Sequence, residues 1–424
     1  MEQKSVMPEE RKEFLEEKIA EVRERVLGQI DFSRDSTDEE IKELIVRAVS
    51  EAAGKDYIPL KSRERIGKAV FNSLRKLDFI QEFLEDEEIT EIMINGPDCI
   101  FIERAGKIIL TDRKFDCVEK LEDLIQQIVA SCNRSVNEST PIADARLADG
   151  CRINIVLSPP AVEGPIVTIR RFPKNDITME MLIENGTVTA EAAEFLKEAV
   201  GDGYNIFVSG GTSSGKTTLL NVLSGYIPKS LRVVCIEDSA ELKITHIPNL
   251  VRLETRNATA EGCTEISIRD LIRSSLRMRP DRIIVGEVRG KEALDMLQAF
   301  NTGHDGSLST GHANSARDML LRLEAMVLMG TELPVGAIRR QISTGIDLII
   351  HLERDRNGRR RVVEIMELLG MEGEEIKSKT LFSLMEEKGE FVLKKVGEPV
   401  ERRGIYLLKP GKEKTYEENS KGAS

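Results

Sequence analysis

One stretch, YNIFVSGGTSSGKTTLLNVLSGY from Tyr204 to Tyr226, constrains this chain more than any other. An apolar run (Ile206, Phe207, Val208) leads into a glycine-rich loop, and the loop leads into a helix-prone segment. The loop fits G-x-x-x-x-G-K-[ST] at Gly210, Gly215, Lys216 and Thr217, with the strand before and helix after that the motif requires. Gly210 and Gly215 lack a Cβ, so the backbone can curl with its N–H groups pointing inward at a phosphate chain. The helix opening at Lys216 adds free N–H groups and a favourable dipole. Lys216 is expected to reach the β- and γ-phosphates of ATP, and the Thr217 hydroxyl to hold Mg²⁺. Gly211, Thr212, Ser213, Ser214 and Thr218 complete the expected nucleotide-contacting set.

Around this loop, short buried-type strands alternate with helical patterns. The strands are YNIFVSG, LRVVCIED, LVRLETR, DRIIVGEV, GSLSTG and DLIIHLER, with segments such as IRDLIRSSLRMR and GKEALDMLQAFN between most of them. This alternation predicts a mainly parallel sheet covered on both faces, with ligands outside the carboxyl ends of its strands. Acids at strand ends are therefore the ones to inspect. Glu237 and Asp238 end one strand and Glu287 ends another, as expected of groups that hold the metal and orient the attacking water. Position 286 is glycine where many P-loop enzymes carry aspartate, so Glu287 either serves both purposes or shares them with Glu237. His304 and His312, each preceded by glycine, bracket a short strand, so both rings are expected to face the γ-phosphate. His246 and His351 read as structural.

Residues 9–78 carry helical apolar spacing, with Asp38 as a candidate cap, and read as a small helical region. From residue 79 the pattern changes to strands joined by turns at Asn95-Gly96-Pro97-Asp98 and Ala105-Gly106, plus one helix in VEKLEDLIQQIVASCNR. Residues 79–175 thus form a separate α/β domain. Its arginines Arg146, Arg152, Arg170 and Arg171 lie in or beside strands, where two readings stand: ion pairs on a solvated face, or anion binding at a domain face. Residues 176–368 form the nucleotide domain. Beyond it, DRNGRRRVVEI predicts a hairpin at Asn357-Gly358, LFSLMEEKGEFVLKKV a helix and strand, and KPGKEKTYEENSKGAS a disordered tail within a 369–424 extension.

Acidic residues outnumber basic ones by 73 to 61, and aromatic residues make up 4% with no tryptophan. That balance argues against a protein that coats nucleic acid. The amino-terminal segment has no apolar signal core, and no run approaches the roughly 18 apolar residues of a membrane span. The expectation is a cytoplasmic protein that meets a membrane only through partners. The six cysteines form no C-x-x-C pair, so a zinc site is not expected.

The chain resembles the secretion-superfamily ATPases that drive pilus assembly and protein export, and among them the Tad/Flp pilus (CpaF-like) motors. The matching runs are EITEIMINGPD, ADGCRINIVLSPPAVEGPIVTIRRF, VSGGTSSGKTTLLN, CIEDSAEL, SSLRMRPDRIIVGEVRGKEA and TGHDGSLSTGHANS, spanning residues 88 to about 350. The resemblance implies an α/β fold in which a RecA-like P-loop NTPase domain follows a smaller α/β domain and a helical amino-terminal region. It further implies a homo-hexameric ring pushing on an inner-membrane platform protein. It places Glu237 and Asp238 in an aspartate box near Mg²⁺ and the water, and Glu287 in an atypical Walker B motif that already has glycine before the glutamate. It places His304 and His312 in a histidine box on the γ-phosphate side. It also implies that Arg152, Arg170 and Arg171 reach the phosphates, so that ATP closes the two domains.

Competing readings remain. A nucleic-acid translocase shares such a core, but it lacks support from the acidic balance and sparse aromatics, and the basic run Arg356 to Arg361 reads as a solvated turn. A switch-like positioning ATPase needs an early loop lysine that positions 211 to 214 do not have. A non-enzymatic binding module leaves the strand-end acids without a purpose.

Overall fold

The computed structural model describes residues 9–400, apart from 31–33, 35, 105, 133, 148, 172–176, 257–263, 356–357 and 388. The described residues fall into two compact units, one on each side of the 174/175 position. In the first, the amino-terminal apolar spacing becomes α1 (Glu9–Leu27), α2 (Asp38–Lys55) and α3 (Leu60–Arg75). They close on one another through Val22, Val26, Ile41, Ile45, Ile66 and Val70. The cap of α2 is Thr37 rather than Asp38. Thr37 accepts from the Glu40 N–H while the Glu40 side chain accepts from the Thr37 N–H, which leaves Asp38 as the first helical residue.

The short helix α4 (Ile80–Glu85) leads into β1 (Ile89–Asn95), β2 (Cys99–Arg104), β3 (Lys107–Leu110), α5 (Val118–Ser131), β4 (Ile142–Arg146), β5 (Arg152–Val156) and β6 (Ile166–Arg170). The strands form an antiparallel sheet in the order β3-β2-β1-β6-β5-β4. Their period-two alternation sends Ile92, Ile94, Ile153, Ile155, Val167 and Ile169 to the face covered by Leu121, Ile125 and Ile128 of α5. The opposite positions face outward.

The second unit begins with α6 (Met179–Glu184) and α7 (Ala190–Gly201), then β7 (Ile206–Gly210) and α8 (Lys216–Ser224). There follow β8 (Val233–Glu237), β9 (Leu250–Glu254), α9 (Ile268–Ser275), β10 (Arg282–Val288), α10 (Glu292–Phe300) and β11 (Leu308–Gly311). The unit ends with α11 (Ala316–Leu328), α12 (Val335–Gly345), β12 (Leu348–Arg354), β13 (Arg360–Glu372), β14 (Glu375–Glu387) and β15 (Glu390–Lys395). Its sheet runs β15-β14-β13-β12-β7-β11-β10-β8-β9. Pairing is parallel from β12 to β9 and antiparallel from β12 to β15.

Every residue of β7 and β8 is buried, because α6, α7 and α8 cover one face and α9 to α12 the other. This is the α/β arrangement expected from the strand–helix alternation. The β7 strand lies inside the sheet between β11 and β12, so the loop after it opens at the carboxyl edge.

Two expectations about the carboxyl-terminal part change. The segment LFSLMEE is not a helix but the second half of β14, held extended by pairing with β13 and β15. The boundary expected at 368 falls inside β13, so these strands extend the nucleotide-domain sheet. Ala105, Asn357, Cys263 and the polar tail from 409 lie outside the described residues. Among the described helices, none is long and apolar enough to cross a membrane.

Candidate active site

The loop between β7 and α8 is built on close backbone approach. A Cβ at position 210 would run into the Leu352 carbonyl oxygen and Ser214 Oγ, so only glycine passes between β12 and the loop's own turn. Gly215 caps α8 in the left-handed region at φ 98°, and Ser213 also sits there at φ 58°. Lys216 opens α8 with its side chain buried at 7% exposure. Its ammonium donates to the Gly211 carbonyl at 2.8 Å, folding back across the loop it belongs to.

Three further groups gather on the β10–β11 side of the loop. His312, immediately after β11, places Nδ1 3.2 Å from Lys216 Nζ and Nε2 2.8 Å from Glu287 Oε1. Burial and the neighbouring Lys216 charge push the His312 pKa down, while Glu287 pulls it back up. The ring is therefore neutral near pH 7. Because an ammonium only donates, Nδ1 accepts, and the ring proton sits on Nε2 beside Glu287. Glu287 Oε2 takes a 2.8 Å hydrogen bond from Arg289, whose other amino group lies 3.6 Å from Asp238 Oδ2. Glu287 Oε1, although close to His312, is buried with no hydrogen-bond donor aligned on it among the described residues. A buried carboxylate oxygen in that condition is an open acceptor beside the loop.

Glu237 departs from expectation. Its Oε1 accepts from the backbone N–H groups of Glu241 and Leu242, both at 2.8 Å, and Oε2 lies 3.5 Å from Cys235 Sγ. Burial raises its pKa against the lowering effect of those two N–H groups. The carboxylate thus pins the turn after β8. It also explains Gly286, where a Cβ would lie 3.0 Å from Glu237 Cγ. Asp238, one position on, accepts from the Thr255 hydroxyl at 2.8 Å and is half-exposed at the strand end.

His304 is not brought to His312. It precedes β11 at the amino edge of the sheet, where Nδ1 bonds the Ala299 carbonyl at 2.9 Å. The nearby Asn205 side chain receives the Gly306 and Ser307 N–H groups. A parallel strand has its two ends on opposite edges of the sheet, so histidines that bracket one cannot share a site within the chain.

In the first unit, Arg146, Arg152 and Arg170 lie opposite one another across β4, β5 and β6, with Glu91 of β1 next in the row. Cross-strand partners share a face, so these arginines form one cationic row on the outward face. Arg171 does not join it. Its guanidinium donates to the Asp86 carbonyl and, at 2.7 Å, to the Ile89 carbonyl, tying the α4–β1 corner.

Two residues escaped sequence reasoning. Arg289 follows Glu287 by two positions, a spacing that puts both on one side of an extended chain. Arg360, within the run read as a solvated turn, donates through Nε to the Ser213 carbonyl at 3.0 Å. No local pattern marks that long-range contact.

The donor set fits a nucleotide-bound Mg²⁺ rather than a protein-caged metal. Thr217 in the first turn of α8 and the open Glu287 oxygen are hard oxygen donors, and Mg²⁺ takes its remaining ligands from phosphates and water. Among the described residues no cluster of three or more His, Cys, Asp or Glu side chains is placed to hold a metal alone.

A family model described as "Type II/IV secretion system protein" matches residues 73–366. The chain is 34% identical over 300 residues to a putative conjugal transfer protein of Mycobacterium tuberculosis, covering 69% of this chain and 85% of that one. It is 33% identical over 315 residues to the type IV secretion system protein PtlH of Bordetella pertussis, covering 68% and 93%. Among solved structures, the pilus retraction motor PilT with bound ADP aligns with a TM-score of 0.52 at 21% identity, covering 70% of this chain and 83% of that one. That last likeness is one of fold.

Proposed function

The chain belongs to the type II/IV secretion system protein family, and from that premise we propose that it hydrolyses ATP to drive a ring motor of the Tad/Flp pilus branch. The observation that carries the hydrolytic reading is the buried, unsatisfied Glu287 Oε1 beside Lys216 and His312. In this reading Lys216 leaves the Gly211 carbonyl for the β- and γ-phosphates, where its charge is worth more than on a neutral oxygen. Glu287 accepts a hydrogen bond from the attacking water and aligns it with the γ-phosphorus. Arg289 keeps the second Glu287 oxygen occupied, and the neutral His312 ring stands beside the first. Mg²⁺, held by Thr217 and by Glu287 and Asp238 directly or through water, supplies charge neutralisation to the phosphates when bound.

The mechanical step is proposed to run through Arg152 and Arg170, drawn to the phosphates by ATP and released when the γ-phosphate leaves. Six such subunits in a ring would pass that motion to an inner-membrane platform protein, from the cytoplasmic side and without spanning the membrane. Phosphate release from ATP by the full chain tests hydrolysis, and Lys216→Ala is expected to abolish it. Solution mass with a non-hydrolysable ATP analogue tests the ring. A hexamer is the expected result, and a monomer unaffected by nucleotide contradicts it.

A further inference from the structure

Strands β8 and β10 lie side by side and parallel, with Ile236 opposite Val285, and two residues past that pair each chain carries an acid, Asp238 and Glu287. Neighbouring strands are roughly 4.8 Å apart, so two carboxylates placed this way repel one another. A guanidinium lies between them. Arg289 donates through one amino group to Glu287 Oε2 at 2.8 Å, and its other amino group lies 3.6 Å from Asp238 Oδ2. We infer that Arg289 is the counter-cation of this acid pair and competes with a divalent metal for it, so that the metal is retained only when nucleotide phosphates add their own charge. This rests on reading Gly210 to Thr217 as a nucleotide loop.

The carboxylate oxygens show what a metal could use. Glu287 Oε2 takes the Arg289 hydrogen bond, Asp238 Oδ1 takes the Thr255 hydroxyl at 2.8 Å, and Asp238 Oδ2 faces Arg289. That leaves Glu287 Oε1, buried with no donor aligned on it among the described residues. Mg²⁺ needs oxygens at about 2.0–2.1 Å in a near-octahedral array. A single open oxygen meets one position of that array, and a permanent positive charge stands on the other side of the same carboxylate. Two acids that would otherwise attract a divalent ion are thus largely neutralised by the protein itself. Phosphate oxygens, with the Thr217 hydroxyl and water, restore both the charge and the ligand count.

The backbone that carries this charge is fixed on both sides of Glu287. The N–H groups of Arg289 and Gly290 donate to Glu292 Oε1, at the start of α10, at 2.6 and 2.9 Å. The Gly286 carbonyl accepts from the Thr310 hydroxyl at 2.7 Å. Glu287 first, then Asp238 and Glu241, hold the guanidinium pKa above its ordinary value against the effect of burial. Asp238 is accordingly a positioning residue. It steadies Arg289, and Arg289 in turn occupies one oxygen of Glu287 while the other stays open.

Mn²⁺ titration of the full chain without nucleotide, followed by electron paramagnetic resonance, tests this, with ADP titration in EDTA as the check that the loop is folded. Arg289→Met should raise Mn²⁺ affinity by about tenfold or more, because a unit charge beside the ion is removed. Arg289→Lys keeps that charge and should stay within about threefold of the unaltered protein. The gain should be lost when Asp238→Asn is added to Arg289→Met, which ties it to this acid pair. Metal-free ADP affinity should change by less than about threefold in Arg289→Met. Unchanged Mn²⁺ affinity in an Arg289→Met protein that binds ADP normally would overturn the competition, as would a gain that survives Asp238→Asn. Loss of metal-free ADP binding in Arg289→Met would also overturn it, since Arg289 would then merely prop the loop. Failure of the unaltered protein to bind ADP with or without metal would instead fell the nucleotide reading itself, and this inference with it.

Discussion

Lys216 Nζ and His312 Nδ1 stand 3.2 Å apart, and that contact sets the tautomer of the histidine. With the ammonium donating to Nδ1, the ring proton is on Nε2, 2.8 Å from Glu287 Oε1 but not aligned on it. One neutral imidazole thus stands between the loop lysine and the strand-end carboxylate. His312→Ala is expected to lower turnover at saturating ATP by about 10–100-fold, the range for groups that orient a reacting partner. Phosphate-release kinetics check this, with ADP affinity changing much less than turnover.

Glu237 provides a contrast. Its carboxylate is spent on the N–H groups of Glu241 and Leu242, so its removal should be a stability event. Glu237→Ala leaves two backbone donors unmet, one of them buried, and chemical denaturation should show a loss of about 1–3 kcal/mol. Glu237→Gln keeps an acceptor oxygen and should retain most ATP turnover. A turnover collapse in a folded Glu237→Gln protein would return this residue to the chemistry.

Arg170 and Arg171 are sequence neighbours with opposite expected phenotypes. Arg171→Ala loses two carbonyl contacts at the α4–β1 corner and should cost about 1.5–3 kcal/mol by urea denaturation. Arg170 is exposed in the row with Arg152, so Arg170→Ala should shift stability by less than about 0.5 kcal/mol. If the row acts on the phosphates, Arg170→Ala and Arg152→Ala lower hydrolysis. Normal rates in both would remove the proposed coupling.

His351 makes a pH prediction. It is buried on β12 with Nδ1 2.8 Å from Ser209 Oγ, and burial holds its pKa below the ordinary histidine value of 6.5. The unfolded chain therefore takes up this proton before the folded one does. The stability His351 contributes is complete above pH 6.5 and falls as the pH drops below it. Measured against His351→Gln, the melting-temperature advantage of the unaltered protein should shrink between neutral pH and about pH 5. A constant difference would mean that His351 does not titrate differently in the two states.

Local patterns marked what local physics determines. The Gly210 to Thr217 loop, the buried runs of β7 and β8, and the start of α2 follow from spacing and cap chemistry, to within a residue at Thr37. The strand-end position of Glu287 was equally legible, because a polar residue after a buried run must lie at the sheet edge. Side-chain direction was not. Glu237 and Glu287 look alike in sequence, yet one meets two backbone N–H groups and the other keeps an open oxygen. The His304–His312 pairing failed because sequence proximity ignores the length of the strand between them. The strand β14 and the Arg360 contact depend on partners distant in sequence, β13 in one case and Ser213 in the other.

If Glu287 orients the attacking water as proposed, its loss should affect hydrolysis far more than nucleotide affinity. The most direct test is ATP binding and single-turnover hydrolysis measured together in Glu287→Gln. ATP affinity within a few-fold of the unaltered protein, with hydrolysis reduced by at least about 100-fold, is the expected result. Hydrolysis at the unaltered rate by a Glu287→Gln protein that binds ATP normally would contradict it.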